Sequence, residues 1–198
     1  DDADPGDVIQ AGAGTYAENV TIGKALTLQG AGDATIVSAA AGAGISVNAS
    51  RVAVKSIKTT GGNSGINVGD GTDRVTLERV TCTGATYGLQ VQGGSKPITR
   101  LSITNCNMSG NTSCGAKFRG KVDRLHIDGG HFDNNVHGLF HCNVPEGLPI
   151  TKSVIEGFCP PGSSAGAGPS AAELIDPGRL FDCSIAGYLL AANRSDFG

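Results

Sequence analysis

The chain has no tryptophan, a single methionine, and only 5% aromatic residues in 198 positions. Most of its core must therefore be aliphatic rather than aromatic. No run of about 18 apolar residues occurs, so no helix able to span a bilayer is expected. Neither sign of charge dominates. The formal net charge is −3 with both signs scattered, so no basic footprint argues for nucleic acid. Six cysteines contain no CxxC pair, which removes the commonest zinc and redox signatures. Six would suit three disulfides in an oxidising compartment. No leader peptide is visible, as in a mature secreted chain that has lost one. No segment keeps a helical apolar period over about ten residues. N-x-S/T matches, such as those at Asn19, Asn48, Asn111 and Asn193, are close to what chance gives in so Ser/Thr-rich a chain.

What is abundant is glycine, 31 residues with no collagen triplet, which implies many turns. The glycines are not randomly placed. "SGINV" at 64–68, "YGLQV" at 87–91, "CGAKF" at 114–118 and "HGLFH" at 137–141 share a Gly-apolar-x-apolar unit, and "AGISV" at 43–47 looks like an earlier copy. A second unit of eight residues precedes these in step. It reads "VKSIKTTG" from Val54, "LERVTCTG" from Leu77, "ITNCNMSG" from Ile103, "IDGGHFDN" from Ile127, "ITKSVIEG" from Ile150 and "LFDCSIAG" from Leu180. The starts lie 23, 26, 24, 23 and 30 residues apart. Two submotifs locked at one period near 24 mark a repeat architecture.

The alternation inside each unit predicts a short strand with one buried face: Val75/Leu77, Leu101/Ile103 and Leu125/Ile127 inward, Thr76, Ser102 and His126 outward. Such a strand cannot hold itself. A coil of three of them can, once the next coil pairs with its backbone about 4.8 Å away. The expected fold is all-β, a right-handed parallel β-helix of about seven to eight coils forming one domain over residues 1–198. "CPPGSSAGAGPS" at 159–170 reads as a surface loop insertion.

The opening segment "DPGDVIQAGAGTYAENVTIGKALTLQGAG", residues 4–32, resembles the first coil of right-handed parallel β-helix proteins of the pectin-lyase-like group. The resemblance implies the fold and an extracellular or cell-surface setting, with structural or carbohydrate-directed roles. Such proteins usually open with an amphipathic helix that plugs the first coil, whereas Val8 and Ile9 follow almost at once here. The stretch "GYLLAANRSDFG" at the other end offers no clear cap. The expectation is a fragment of a longer protein, or a chain that forms homo-oligomers or packs against neighbouring domains at its ends.

All four histidines lie within 16 residues, interleaved with Asp123, Asp128 and Asp133. Alternation puts His126 and Asp128 outward on one strand, and His131 and Asp133 outward on the next. Imidazole beside carboxylate suits acid–base work, and these four are the candidate catalytic residues. Asn107, Thr104 and Lys152 are expected in the same outer columns, with Arg119, Lys121 and Arg124 in a nearby turn. Phe140, outward between Leu139 and His141, is a candidate stacking platform for a sugar. Phe140, Arg119, Lys121, Arg124, Asn107 and Lys152 together form the candidate substrate-binding set. A solvated polar face explains the same residues without any activity. No cofactor is expected. No HExxH or other regular ligand spacing supports a metal site, although a divalent cation at the surface would suit these side chains. The paired aspartates with arginine of the esterases and the aspartate trio of the galacturonases are both missing.

His141 takes the inward column of Val68, Val91 and Phe118 and reads as a hydrogen-bonded structural residue. Cys82, Cys106 and Cys183 read as small core residues. Cys114, Cys142 and Cys159 lie near turns and are the better disulfide candidates. Two function classes follow: a non-catalytic extracellular module for assembly, attachment or polysaccharide contact, and a lyase, epimerase or hydrolase acting on an acidic glycan through residues 123–141. Ice binding would want long threonine columns, and Thr59, Thr60, Thr81 and Thr83 span only two coils.

Overall fold

The computed structural model describes residues 3–142, 150–151, 153–156 and 173–175. Among them there is no helix, only strands that climb in laps. The first lap is β1 (Val8–Gln10), β2 (Gly14–Tyr16) and β3 (Val20–Ile22). Next come β4 (Thr27–Ala39) with β5 (Ala43–Val47), and β6 (Val52–Gly61) with β7 (Ser64–Val68). The fourth lap is β8 (Asp73–Glu78), β9 (Thr81–Thr83) and β10 (Tyr87–Gln92). The fifth is β11 (Ile98–Thr104) and β12 (Cys114–Arg119), and the sixth β13 (Val122–Asp128) and β14 (His137–Cys142). After these come β15 (Ile150–Thr151), β16 (Ser153–Glu156) and β17 (Glu173–Ile175).

Three faces result. The first runs β1-β4-β6-β8-β11-β13-β16 and the third β3-β5-β7-β10-β12-β14. Between them lies a narrower second face. There β2 pairs the second half of β4, β9 pairs the second half of β6, and single bridges join Thr81 to Asn107 and Asn107 to His131. From β1 to β16 the pairing between laps is parallel, giving a solenoid of about six turns among the described residues, slightly fewer than the seven to eight expected of the whole chain.

The core is a set of vertical files. Val75, Leu101 and Leu125 stand in register, as do Leu77, Ile103 and Ile127. Ile57, Val80 and Cys106 share a file, and so do Thr59, Cys82, Met108 and Phe132. All of these are buried. A fully buried aliphatic side chain contributes about 1.5–3 kcal/mol, most of which offsets backbone and rotamer entropy. Stacking is therefore a condition of stability, because a lone lap buries little on either side.

The eight-residue unit is a bent pair of strand pieces, not one strand. Ser56, Arg79 and Asn105 adopt left-handed φ of 50°, 51° and 51°, and Gly129 takes 64°. Each left-handed residue turns the chain from the first face to the second. Two consecutive residues then face outward, such as Glu78 and Arg79, before the inward alternation resumes at Val80.

The Gly-apolar-x-apolar unit has a different cause. Gly44, Gly65, Gly88, Gly115 and Gly138 stand in one file on the third face. A Cβ at Gly65 would lie 2.7 Å from the Gly88 carbonyl oxygen, one at Gly88 2.6 Å from that of Gly115, and one at Gly115 2.6 Å from that of Gly138. The backbones approach too closely for any side chain.

Asparagine closes the corner that follows the second face. Asn111 is buried, and its Nδ2 donates to the carbonyls of Cys82 and Met108, both at 3.1 Å. Its Oδ1 accepts from the Ala85 N–H at 3.2 Å. Asn135 repeats the arrangement one lap on, donating to Met108 and Phe132 and accepting from the Asn111 N–H at 2.8 Å. The Asn111 amide is thus engaged in the folded chain and not offered for glycosylation.

Two sequence expectations need correction. The unit starting at Ile150 is not level with Ile127: Ile150 pairs with Val122, and Ile155 pairs with Ile127. The chain between the sixth lap and β15 is longer than the sequence reading assumed, and Ile155 fits the repeat as well as Ile150 does. The strand that follows is not another parallel rung, since β17 runs antiparallel to β16. Cys114 lies directly after a bend, near a turn as expected. It begins β12, is buried, and has its Sγ 3.4 Å from Ser113 Oγ. The 159–170 insertion, Lys152, Cys159, Cys183 and the unit at Leu180 lie outside the described residues.

Candidate functional site

His126 is exposed on the first face, in register with Ser102 below and Val154 above. Asp128 is half-buried between Thr104 and Glu156 in the neighbouring column. The chain then passes Gly129 and Gly130, with φ of 64° and 104°, and turns onto the second face. There His131 bridges to Asn107, and Asp133 accepts a hydrogen bond from Ser109 Oγ. The two His/Asp pairs lie on either side of one corner and face different directions. Phe140 lies on the third face, so it does not wall either pair. Among the described residues, no group of three or more His, Cys, Asp and Glu side chains is placed to hold a metal ion.

The predicted cations mark another corner. Arg119 ends β12, Lys121 lies in the link, and Arg124 is exposed in β13 with a left-handed φ of 61°. They bracket the passage from the third face to the first. Arg124 Nε lies 3.7 Å from Asp123. Asn107 is exposed, with Oδ1 accepting the Ser109 N–H at 3.2 Å.

Phe140 is half-buried and stands beside Lys117 in the column Ser46, Asn67, Gln90, Lys117, Phe140. Its ring stacks on His137 with centroids 4.9 Å apart and planes at 26°. One lap below, Lys117 Nζ lies 4.3 Å from the Tyr87 ring centroid and 3.2 Å from its hydroxyl. Two aromatic rings, an imidazole and an ammonium thus share one outer strip, with the Gln90 and Asn67 amides continuing it. Rings set beside amides and a cation are suited to sugar faces and hydroxyls. By backbone register His141 continues the file Val47, Val68, Val91 and Phe118.

The buried thiols are poor nucleophiles. Burial pushes Cys82 up to about 12 and Cys106 to about 11, so neither supplies thiolate near neutrality.

One further column escaped the sequence reading. Arg51, Arg74, Arg100 and Arg124 are exposed and in register on the first face, each at left-handed φ of 59°, 56°, 56° and 61°. The signal was present as a third repeated unit, Arg-apolar-x-apolar: "RVAV", "RVTL", "RLSI" and "RLHI". Arg100 is held by Asp73, through Nε at 2.7 Å and through Nη2. Arg74 is 3.7 Å from Asp73. A shallow depression between Arg51 and Arg74 is lined also by Val52, Ala53 and Thr76.

The family model described as "Right handed beta helix region" matches residues 12–157, and the chain belongs to that family. The pectin-lyase-like resemblance of the opening coil is consistent with it. Comparison with curated proteins and with solved structures gave no match. Among the described residues no helix is long and apolar enough to cross a membrane.

Proposed function

We propose that this β-helix is a rigid, non-catalytic extracellular module that contacts polysaccharide through its outer faces. The observation that carries the reading is the strip of Tyr87, Lys117, His137 and Phe140 on the third face, where stacking rings and polar groups recur at the strand spacing. A sugar chain lying along the axis would meet the Tyr87 ring and Gln90 on the fourth lap, Lys117 on the fifth, and the His137 and Phe140 rings on the sixth. The separation of His126/Asp128 from His131/Asp133 across a corner supports binding over catalysis, because acid and base must reach one reacting bond together. The test is retention of the chain on immobilised polysaccharides, with Phe140→Ala and Tyr87→Ala alongside the wild type. The wild type is expected to be retarded on at least one polymer, and each variant to lose about tenfold in affinity, near 1.4 kcal/mol. Equal retention of variants and wild type would remove the reading.

A second reading, a lyase or epimerase acting on an acidic glycan, draws on the same two His/Asp pairs and on Arg119, Lys121 and Arg124 at the next corner. A uronide panel read by ultraviolet absorbance of unsaturated ends separates the two. Wild-type absorbance growth that disappears in His126→Ala or His131→Ala would replace the binding reading with the lyase one.

A further inference from the structure

We propose that the arginine file of the first face is a binding strip for a sulfated linear polysaccharide, with the Arg51–Arg74 depression as its main sulfate subsite. This is a different face from the Phe140 strip, and the proposal does not depend on that strip. A left-handed φ at a residue with a side chain costs of order 1–2 kcal/mol, and glycine or asparagine is its usual occupant. Here four successive laps place arginine there instead. Backbone economy does not favour arginine, so the guanidinium is what the position gains. Arg100 is committed to Asp73, and Arg124 stands 3.7 Å from Asp123. Among the described residues neither Arg51 nor Arg74 makes a cross-lap side-chain bond to an acid, Arg74 lying 3.7 Å from Asp73 of its own lap, and the depression opens between them.

The geometry favours a tetrahedral oxyanion. A carboxylate offers two oxygens in one plane, and a single forked guanidinium engages both, as Arg100 does those of Asp73. A sulfate presents oxygens in several directions and reaches two guanidiniums one rung apart, about 4.8 Å. Val52, Ala53 and Thr76 complete the lining of the depression, where the sugar that carries the group would rest. A nucleic-acid duplex fits poorly, because the phosphates of each strand advance about 3.4 Å along the helix axis per nucleotide and wind around it, out of step with a straight file of rungs. The net charge of −3 also opposes a dense polyanion everywhere except along such a strip.

The test titrates the full chain with a sulfated linear glucan, with carboxymethylated and unsubstituted forms of the same glucan, with inorganic sulfate and with a DNA duplex. Tight binding of the sulfated form alone is expected, weakening as salt rises. The double variant Arg51→Asn/Arg74→Asn keeps a residue tolerant of left-handed φ. It is expected to bind about tenfold or more weakly with an unchanged melting temperature, while Phe140→Ala binds as wild type. Should the double variant not fold, the unmutated chain still decides the question. An arginine-specific dicarbonyl reagent should modify Arg51 and Arg74 freely without the glucan and slowly with it. Equal affinity for the carboxymethylated glucan or the duplex, or equal reagent reactivity with and without glucan, would overturn the proposal. Loss of binding on Phe140→Ala but not on the arginine changes would overturn it too, and would leave the third-face reading standing.

Discussion

Asp73 is one carboxylate held by two laps. Arg100 from the next lap lies against both its oxygens, Thr99 adds a hydroxyl donor, and the carboxyl is drawn down to about 2. A group whose folded pKa is depressed stabilises the fold above its unfolded value and loses that contribution as pH falls through the folded one. The wild type should therefore unfold at higher urea than Arg100→Ala at about pH 5. The gap should narrow on acidification and close near pH 2. Urea midpoints of both proteins across that range check the point, and a gap independent of pH would mean that the guanidinium acts by packing alone. At this scale the sequence was readable for orientation. Alternation placed Leu77, Cys82, Cys106 and Phe132 inward and His126 outward, as the structure has them. It was not readable for partnership. Asp73 and Arg100 are 27 positions apart, and their ion pair exists only because the laps stack in register.

At the level of the element, the glycine file and the asparagine pair set the shape of the third face. Gly88→Ala would drive a Cβ into the Gly115 carbonyl at 2.6 Å and against the Asn111 amide at 2.8 Å. Overpacking of this sort costs about 1–3 kcal/mol. Gly23, with nothing within 4 Å, is the control, and Gly23→Ala should leave the melting temperature nearly unchanged. Asn111→Ala strands the carbonyl of Cys82 and the N–H of Ala85, and leaves the Met108 carbonyl with Asn135 as its side-chain donor. Buried groups left unpaired cost about 1–3 kcal/mol each before relaxation, so a loss of about 3 kcal/mol in urea unfolding is expected. Asn111→Asp should not restore it, because a carboxylate cannot donate to the two carbonyls. The spacing of the glycines was plain in the sequence, yet their reason was hidden, since each is blocked by the carbonyl of a lap not yet reached. The bend inside the eight-residue unit was hidden too. Ser56, Arg79 and Asn105 are unlike one another as residue types and share only a left-handed φ. The register of Ile150 was misread because Ile150 and Ile155 are both apolar residues followed by polar ones, and only pairing with Val122 separates them.

Across the whole molecule, stability is a chain of nearest-neighbour interfaces. Amide exchange should be slowest in β8, β10 and β11, which have laps on both sides, and faster in β1, where Val8 and Ile9 are exposed. Uniform exchange from β1 to β13 would contradict an additive stack. The period, the parallel pairing and the three-sided section were all legible from the repeat. The arginine file was equally legible as "RVAV", "RVTL", "RLSI" and "RLHI", but attention to apolar positions passed over the residue in front of them. Removing residues 64–86 takes out one full circuit, because Ser64 and Tyr87 occupy the same rung. That shortened chain should keep a β circular-dichroism spectrum and melt at a lower temperature. Removing 64–83 instead should give no cooperative melt.

The row of bare α-carbons on the third face makes length a whole number. Each glycine is demanded by the oxygen of its successor, so a segment gained or lost by recombination keeps the row intact only if it carries one complete circuit and brings its own glycine. A cut at any other point sets a side chain against a carbonyl where the two parts meet. Such a molecule lengthens as a spiral stair does, by flights and never by fractions of a tread.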